Sequence, residues 1–229
     1  MTQHIRSSVV LACAVALLAG CGALPEKPTR STLYDFGPGL GAPAAATSPA
    51  PVGSLPILAL AEVESSARLE GTQLLYRLGY ADVNELRSYA QARWSVAPTQ
   101  LVQQRLRAAL SAGRTVLGPE ESATLARAQG ARPNTLRVSL DEFTHYFESP
   151  SSSVGLVRLR ATLVQGTAGG DRVIAQRSFT ARRPAPSADA AGGVKALAAA
   201  SDETIAQIVI WVDAVAATPS VPGSMPPSR

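Results

Sequence analysis

The chain has 229 residues, of which 46% are hydrophobic and 17% charged, and its formal net charge is +4. This length and apolar content suit one globular domain with a substantial core. The arginines are mostly scattered singly, unlike those that follow a phosphate backbone, so the charge argues against a nucleic-acid partner.

The N-terminal residues have the pattern of an export signal. One basic side chain, Arg6, precedes an apolar run from Val9 to Leu18 that is too short to span a bilayer as a helix. The run ends in Leu18-Ala19-Gly20-Cys21, which resembles the bacterial lipobox. The resemblance implies that residues 1–20 are removed and that Cys21, the new N-terminus, carries covalent acyl chains of the palmitate type. The alternative is an ordinary soluble export signal with a chance cysteine.

Acylation of Cys21 predicts a membrane-anchored protein. Each buried methylene contributes about 0.8 kcal/mol, so two or three acyl chains hold a protein on a membrane essentially permanently. Gly22 follows the cysteine, and by resemblance to the lipoprotein sorting rule this favours the outer membrane over the inner membrane. Residues 21–31 are polar and proline-bearing, which predicts a solvated tether that keeps the folded part close to the membrane on its periplasmic side.

Histidine and cysteine are too scarce for several classes of active site. His4 and Cys13 leave with the signal, so His145 is the only imidazole of the mature chain. The scarcity excludes a multi-histidine metal site and a cysteine nucleophile, and we predict no metal, no catalytic residue and no cofactor beyond the acyl chains. His145 lies in a strand-like stretch, and we predict a surface or edge side chain there.

Short strands dominate the first half of the domain. Residues Thr32–Phe36 alternate and form a candidate first strand, whereas residues 37–54 have the Pro/Ala-rich composition of a flexible loop. Three more strands are predicted, and the last two are close enough to form a hairpin: Leu55–Glu64, Thr72–Leu78 and Leu86–Arg93.

A helix and two weaker elements follow. Pro98 suits the first turn of a helix, and the apolar residues from Leu101 to Leu110 fall on one face of it. A short strand at Arg114–Leu117 and a weak helix at Pro119–Ala128 come next.

Alternating strands and a long helix close the domain. Residues 136–141, 157–163 and 173–181 alternate apolar and polar side chains and predict an antiparallel meander. Apolar residues three or four apart from Val194 to Val215 predict a long amphipathic helix on that meander. The proline-rich residues 219–229 are predicted to be disordered. The order of elements indicates an α+β fold, a mixed or antiparallel sheet with helices packed on one face.

Several short motifs, in this order and after a lipobox, resemble the ABC-type transport auxiliary lipoprotein family, the paraquat-inducible protein C-like proteins. The likeness spans about residues 32–218, and its motifs are Tyr34-Asp35-Phe36-Gly37-Pro38, Leu75-Tyr76-Arg77-Leu78, Tyr89-Ala90-Gln91-Ala92-Arg93-Trp94, Leu106 to Leu110, Phe143 and Trp211. The resemblance implies a domain of the TolB N-terminal or anticodon-binding-domain-like type.

The same resemblance implies a non-enzymatic auxiliary lipoprotein of the outer membrane. Its partners would be a periplasmic MCE-domain protein and, indirectly, an inner-membrane ABC permease and ATPase, in lipid transport between the membranes and in membrane integrity. Two other functions stay open at this point: a stand-alone lipid- or small-ligand-binding envelope lipoprotein, and a hydrolase using carboxylates, for which no spacing argues. Homo-oligomerisation, the lipid and the direction of transport stay open too.

The candidate partner-binding surface consists of aromatic and arginine residues on the predicted hairpin. These residue types are enriched among interface hot spots, and the chain places five of them on neighbouring strands: Tyr76, Arg77, Tyr89, Arg93 and Trp94. The alternative is that Tyr76 and Trp94 are half-buried sheet residues with their polar ends outward.

Overall fold

The computed structural model describes residues 30–38, 55–129, 132–167 and 170–217. The predicted signal, Cys21, nearly all of the tether, most of the 37–54 loop and the 219–229 tail lie outside the described residues.

The described residues form one nine-stranded sheet and three α-helices. The strands are β1 (Thr32–Tyr34), β2 (Leu58–Leu60), β3 (Glu64–Ser65), β4 (Gln73–Leu78), β5 (Arg87–Trp94), β6 (Val116–Leu117), β7 (Asn134–Phe147), β8 (Ser153–Thr167) and β9 (Gly170–Pro184). The helices are α1 (Pro98–Ser111), α2 (Pro119–Gln129) and α3 (Ala190–Ala217), and a 3-10 turn covers Ala67–Leu69.

Strand β7 is the centre of the sheet. One of its edges pairs with antiparallel β8, and β9 pairs antiparallel with β8 on the far side. The other edge of β7 pairs in succession with β2, β3 and β4, all parallel to it. Beyond β4 the sheet continues with β5, which is antiparallel to β4, and then with β1, which is parallel to β5. Beyond β2 it continues with β6, which is parallel to β2. The predicted mixed sheet, the β4–β5 hairpin and the β7–β8–β9 meander are confirmed.

One predicted strand is two short ones. Leu55–Glu64 becomes β2 and β3, because the chain leaves the edge of β7 after Leu60 and rejoins it four residues later, opposite Ser139. The amide of Ala61 still donates to the Leu136 carbonyl at the point of departure. The polarity of the run changes at this point, since Glu62 and Glu64 follow the apolar residues 57–60. Alternation of apolar and polar residues is also typical of a continuous strand, so this change does not by itself reveal the interruption.

Alternation along β7 and β8 gives the sheet one apolar face, which α1 and α3 cover. The α+β class with helices on one face is therefore confirmed, while α2 lies at the margin beside β2 and β6. The backbone of α3 lies directly on β8, since a Cβ at Gly155 would come within 2.4 Å of the Ala196 carbonyl carbon. The core on this face includes Leu60, Leu106, Leu136, Leu140, Phe143, Leu159, Leu163, Leu197 and Ile208.

The opposite face of the meander is polar. Arg137 pairs with Asp171 at 2.7 Å, and Arg160 pairs with Asp141 at 3.1 Å. Side chains on this face alternate with those of the core along the same strands, so the two faces have opposite chemistry.

Candidate interaction surface

His145 is a packing residue, and the predicted surface or edge position is wrong. The side chain is 0% exposed. Its Nδ1 lies 2.9 Å from the Tyr89 hydroxyl, and its Nε2 lies 2.8 Å from Oγ of Ser153. The first turn of α3 closes over the ring, since a Cβ at Gly193 would lie 2.4 Å from Nδ1. Alternation within β7 does not show this burial, because the cover comes from a helix 45 or more residues further along the chain.

The buried environment keeps this imidazole neutral at neutral pH. Burial lowers the pKa of His145 to about 4, and the nearby Asp189 carboxylate only partly opposes that shift. Burial likewise raises the pKa of the Tyr89 phenol. A neutral imidazole donates from one nitrogen and accepts at the other, and the hydroxyls of Tyr89 and Ser153 can complement either arrangement. Both nitrogens are therefore occupied by structural hydrogen bonds.

The structure does not bring the five predicted partner-binding residues together. Trp94 is 1% exposed, and its indole N–H is buried without a hydrogen-bond partner in the described part of the chain. It packs edge-on against Phe36, with ring centroids 5.8 Å apart. The rings of Tyr76 and Tyr89 are in tilted contact, with centroids 4.7 Å apart, and both side chains are half-buried. Trp94 therefore belongs to the core and not to a surface.

The two arginines of the predicted set lie on the opposite side of the sheet from these aromatics. Arg93 directly follows buried Ala92 and precedes buried Trp94 in β5, so its side chain points away from the core. Nη1 of Arg77 donates to the carbonyls of Val83 and Asn84, 3.2 Å from each. Arg77 therefore braces the loop between β4 and β5.

That loop carries two exposed apolar side chains outside the predicted set. Tyr80 is 47% exposed and Val83 is 52% exposed. Their backbone is held in place, because Arg77 bonds to the loop and the Asn84 amide donates to Oδ1 of Asp82 at 2.8 Å. We call Arg77, Tyr80 and Val83 the hairpin tip. The sequence signal for the hairpin tip is the presence of two apolar side chains, Tyr80 and Val83, within a segment that forms a turn.

An apolar groove lies between α2 and the β2–β6 margin. It has a volume of about 570 Å³ and is lined by Ile57, Leu117, Glu120, Glu121, Thr124 and Leu125. Its volume is within the range of small-molecule sites. In the described ranges, no group of three or more His, Cys, Asp or Glu residues is placed to hold a metal ion. None of the described helices combines the length and apolar character needed to cross a membrane.

Comparison with known proteins shows a family match and similar solved structures. A family model described as an ABC-type transport auxiliary lipoprotein component matches residues 39–209. Protein XCC0632 from Xanthomonas campestris is similar in structure, with a TM-score of 0.62 and 20% identity over 81% of this chain and 96% of that one. An uncharacterized protein matches with a TM-score of 0.54 and 15% identity over 80% and 99% of the two chains. No curated protein sequence matches this chain.

Proposed function

The chain belongs to the family of ABC-type transport auxiliary lipoprotein components, and we propose that it acts as a lipid-anchored, non-enzymatic adaptor in the envelope. The family match over residues 39–209 carries this proposal, because it covers most of the folded domain. In the proposal Cys21 bears the acyl chains, and the domain is held on the periplasmic face of the outer membrane. Gly22 after the cysteine supports that location.

The proposed partner is a periplasmic MCE-domain protein, through which the chain serves an inner-membrane ABC permease and ATPase in lipid transport between the membranes. The hairpin tip is the proposed contact surface. Tyr76 lies next to it in β4, whereas Arg93 pairs with Gln73 at the other end of the hairpin and is outside the proposed surface. Exposed apolar side chains on a well-anchored loop lose little conformational entropy on binding, which favours a protein contact.

A non-enzymatic role is supported by the state of the one mature-chain histidine. His145 is buried, and hydrogen bonds to Tyr89 and Ser153 occupy its two ring nitrogens. It therefore has no free nitrogen to exchange a proton with a substrate.

The first test is a crosslinked pull-down of the full-length lipoprotein from its native envelope, with Cys21→Ala as the matched control. We expect an MCE-domain protein to elute with the wild type and to be lost or strongly reduced with the variant, because the unacylated chain leaves the membrane. Recovery of no envelope protein from the wild type would contradict the adaptor function.

A second set of variants tests the contact surface itself. Tyr80→Glu and Val83→Glu should each reduce recovery of the partner, whereas Ile210→Glu should not. Ile210 is a fair control because it is 69% exposed on α3, outside the hairpin. Equal recovery with all three variants would remove the hairpin tip from the proposal and leave the anchor unaffected.

A stand-alone lipid-binding function is the second candidate, and the groove between α2 and the β2–β6 margin favours it. Its lining includes the apolar side chains of Ile57, Leu117 and Leu125. Stoichiometric lipid in the purified protein, lost on Leu125→Glu, would support this function over the adaptor.

A further inference from the structure

Strand β9 is a long edge of the sheet. It runs for 15 residues, and within the described ranges it pairs only with β8. Strand β8, by contrast, is paired on both sides. The outward N–H and C=O groups of an edge strand are open to a strand from another molecule.

Some of the arginines of β9 form ion pairs and others do not. Two of its arginines have no carboxylate partner in the described part of the chain: Arg172 donates to Gln165 Oε1 at 2.8 Å, and Arg177 lies over the Phe179 ring at 5.3 Å. The other charged residues of the strand form ion pairs, Arg182 with Glu148 at 2.6 Å, Arg183 with Glu203 at 2.7 Å and Asp171 with Arg137 at 2.7 Å. Among the described residues, β9 therefore carries positive charge without a carboxylate partner and no unpaired negative charge.

The guanidinium of Arg177 lies beside the aromatic contact between Phe179 and Trp211. Arg177 and Phe179 are two residues apart in β9, so their side chains share the face that α3 covers. Trp211 of α3 meets the Phe179 ring edge-on, with centroids 5.8 Å apart, and is itself half-exposed. A strand laid beside β9 would thus pass a guanidinium and an indole on its helix side.

The sequence outside the described ranges is a poor match for this positive charge. Residues 1–29, 39–54 and 218–229 contain one acidic residue between them, Glu26. Residues 218–229 also include four prolines, which have no N–H to donate to a sheet. A second copy of β9 is disfavoured as well, because four arginines and one aspartate would face the same set.

We propose that the outer edge of β9 accepts an extended acidic segment of a partner protein, which adds to the sheet as a further strand and sets a carboxylate against Arg177. The ladder hydrogen bonds supply the attachment, and the alternating side chains supply the selectivity. This docking edge is separate from the hairpin tip and does not depend on the partner being an MCE-domain protein.

The probe for this edge is the end-blocked peptide Glu-Thr-Val-Thr-Val-Thr-Glu. Its Glu, Val, Val and Glu side chains repeat the spacing of Arg177, Phe179, Ala181 and Arg183. The peptide reads the same in both directions, so it fits parallel and antiparallel addition alike. A peptide with Lys in place of Glu is the matched control. Binding is measured on the full-length protein in detergent, together with hydrogen exchange followed by mass spectrometry.

We expect the acidic peptide to bind and to slow exchange of the amides in residues 172–183. Arg177→Glu should weaken its affinity about tenfold, and Arg177→Lys should keep it within about threefold, because the charge drives the contact. Lys195→Glu is the control and should stay within about twofold, since that exposed lysine of α3 lies beside β1, away from β9.

Four results would overturn the proposal. They are absence of binding by the acidic peptide, equal binding of the lysine peptide, an equal loss with Lys195→Glu, and concentration-dependent protection of β9 without any peptide. The last result would assign the edge to a second copy of this chain. None of the four bears on the Cys21→Ala pull-down, so the two proposals fail separately.

Discussion

The two faces of the central strands are stabilised by different forces. On the covered face Leu136, Leu140 and Leu159 are 0% exposed and packed under helices. On the open face Arg137 and Arg160 form ion pairs that water reaches, with arginine side chains 55% and 46% exposed. Burial of a leucine side chain contributes about 1.5–3 kcal/mol, whereas an exposed ion pair contributes about 0–1 kcal/mol. The covered face therefore carries the stability, and the open face and the edges are free to carry contacts.

The largest effect is expected where α3 touches β8. Gly155→Ala places a Cβ against the Ala196 backbone, which cannot move unless the whole helix shifts. We expect the free energy of unfolding to fall by about 3 kcal/mol, measured by urea denaturation. Arg158→Ala, in the same strand but on the open face, should change it by less than about 0.5 kcal/mol. Similar losses for the two variants would contradict the division between the faces.

An effect of similar size should come from the buried histidine, as a dependence of stability on pH. The pKa of His145 in the folded protein is about 4, below the ordinary 6.5, so the unfolded chain binds the proton more readily. Stability should therefore be complete above about pH 6.5 and decline as the pH falls toward 4, by about 3 kcal/mol.

The control for this prediction is His145→Gln, which removes the titrating group. Between about pH 6.5 and 5, where few carboxyl groups titrate, the variant should lose less stability than the wild type. The carboxylate of Asp189 favours the charged form of this imidazole, and it is present in both the wild type and the variant. Parallel pH profiles for the two proteins would show that His145 is not the source.

The smallest effect is expected on the open face. Arg160→Ala breaks the 3.1 Å ion pair with Asp141, in which the arginine side chain is 46% exposed and the aspartate side chain 28% exposed. We expect a loss below about 1 kcal/mol that shrinks further in salt. A double-mutant cycle with Asp141→Ala measures the coupling, and a coupling well above that value would mean that the open face is more structural than its exposure indicates.

Elements with a strong local pattern could be predicted from the sequence. Alternation in residues 136–141 and 157–163 indicated the meander, and spacing from Val194 to Val215 indicated α3, because each pattern follows from the geometry of a single strand or helix. The same patterns did not indicate that Leu55–Glu64 breaks into two strands. That break depends on how the chain meets the edge of β7.

Site residues were harder to predict, because aromatic and arginine side chains suit both cores and interfaces. Trp94 and Arg93 are adjacent and both belong to residue types that are common at interfaces, yet their side chains point to opposite sides of β5. The hairpin tip depends on Arg77 reaching the carbonyls of Val83 and Asn84, which no spacing rule reveals.

The sequence by itself determined the α+β class, the order of the main elements, and, through motifs spread along the domain, the family. These features depend on local periodicity and on the identity of neighbouring residues, which a linear chain displays. Only the tertiary structure decided which residues are covered, as where α3 closes over His145 and lies against Gly155. It also decided that β9 is an edge strand in the described part of the chain. Burial and strand pairing join residues far apart in the chain, so they exist only once the chain has folded.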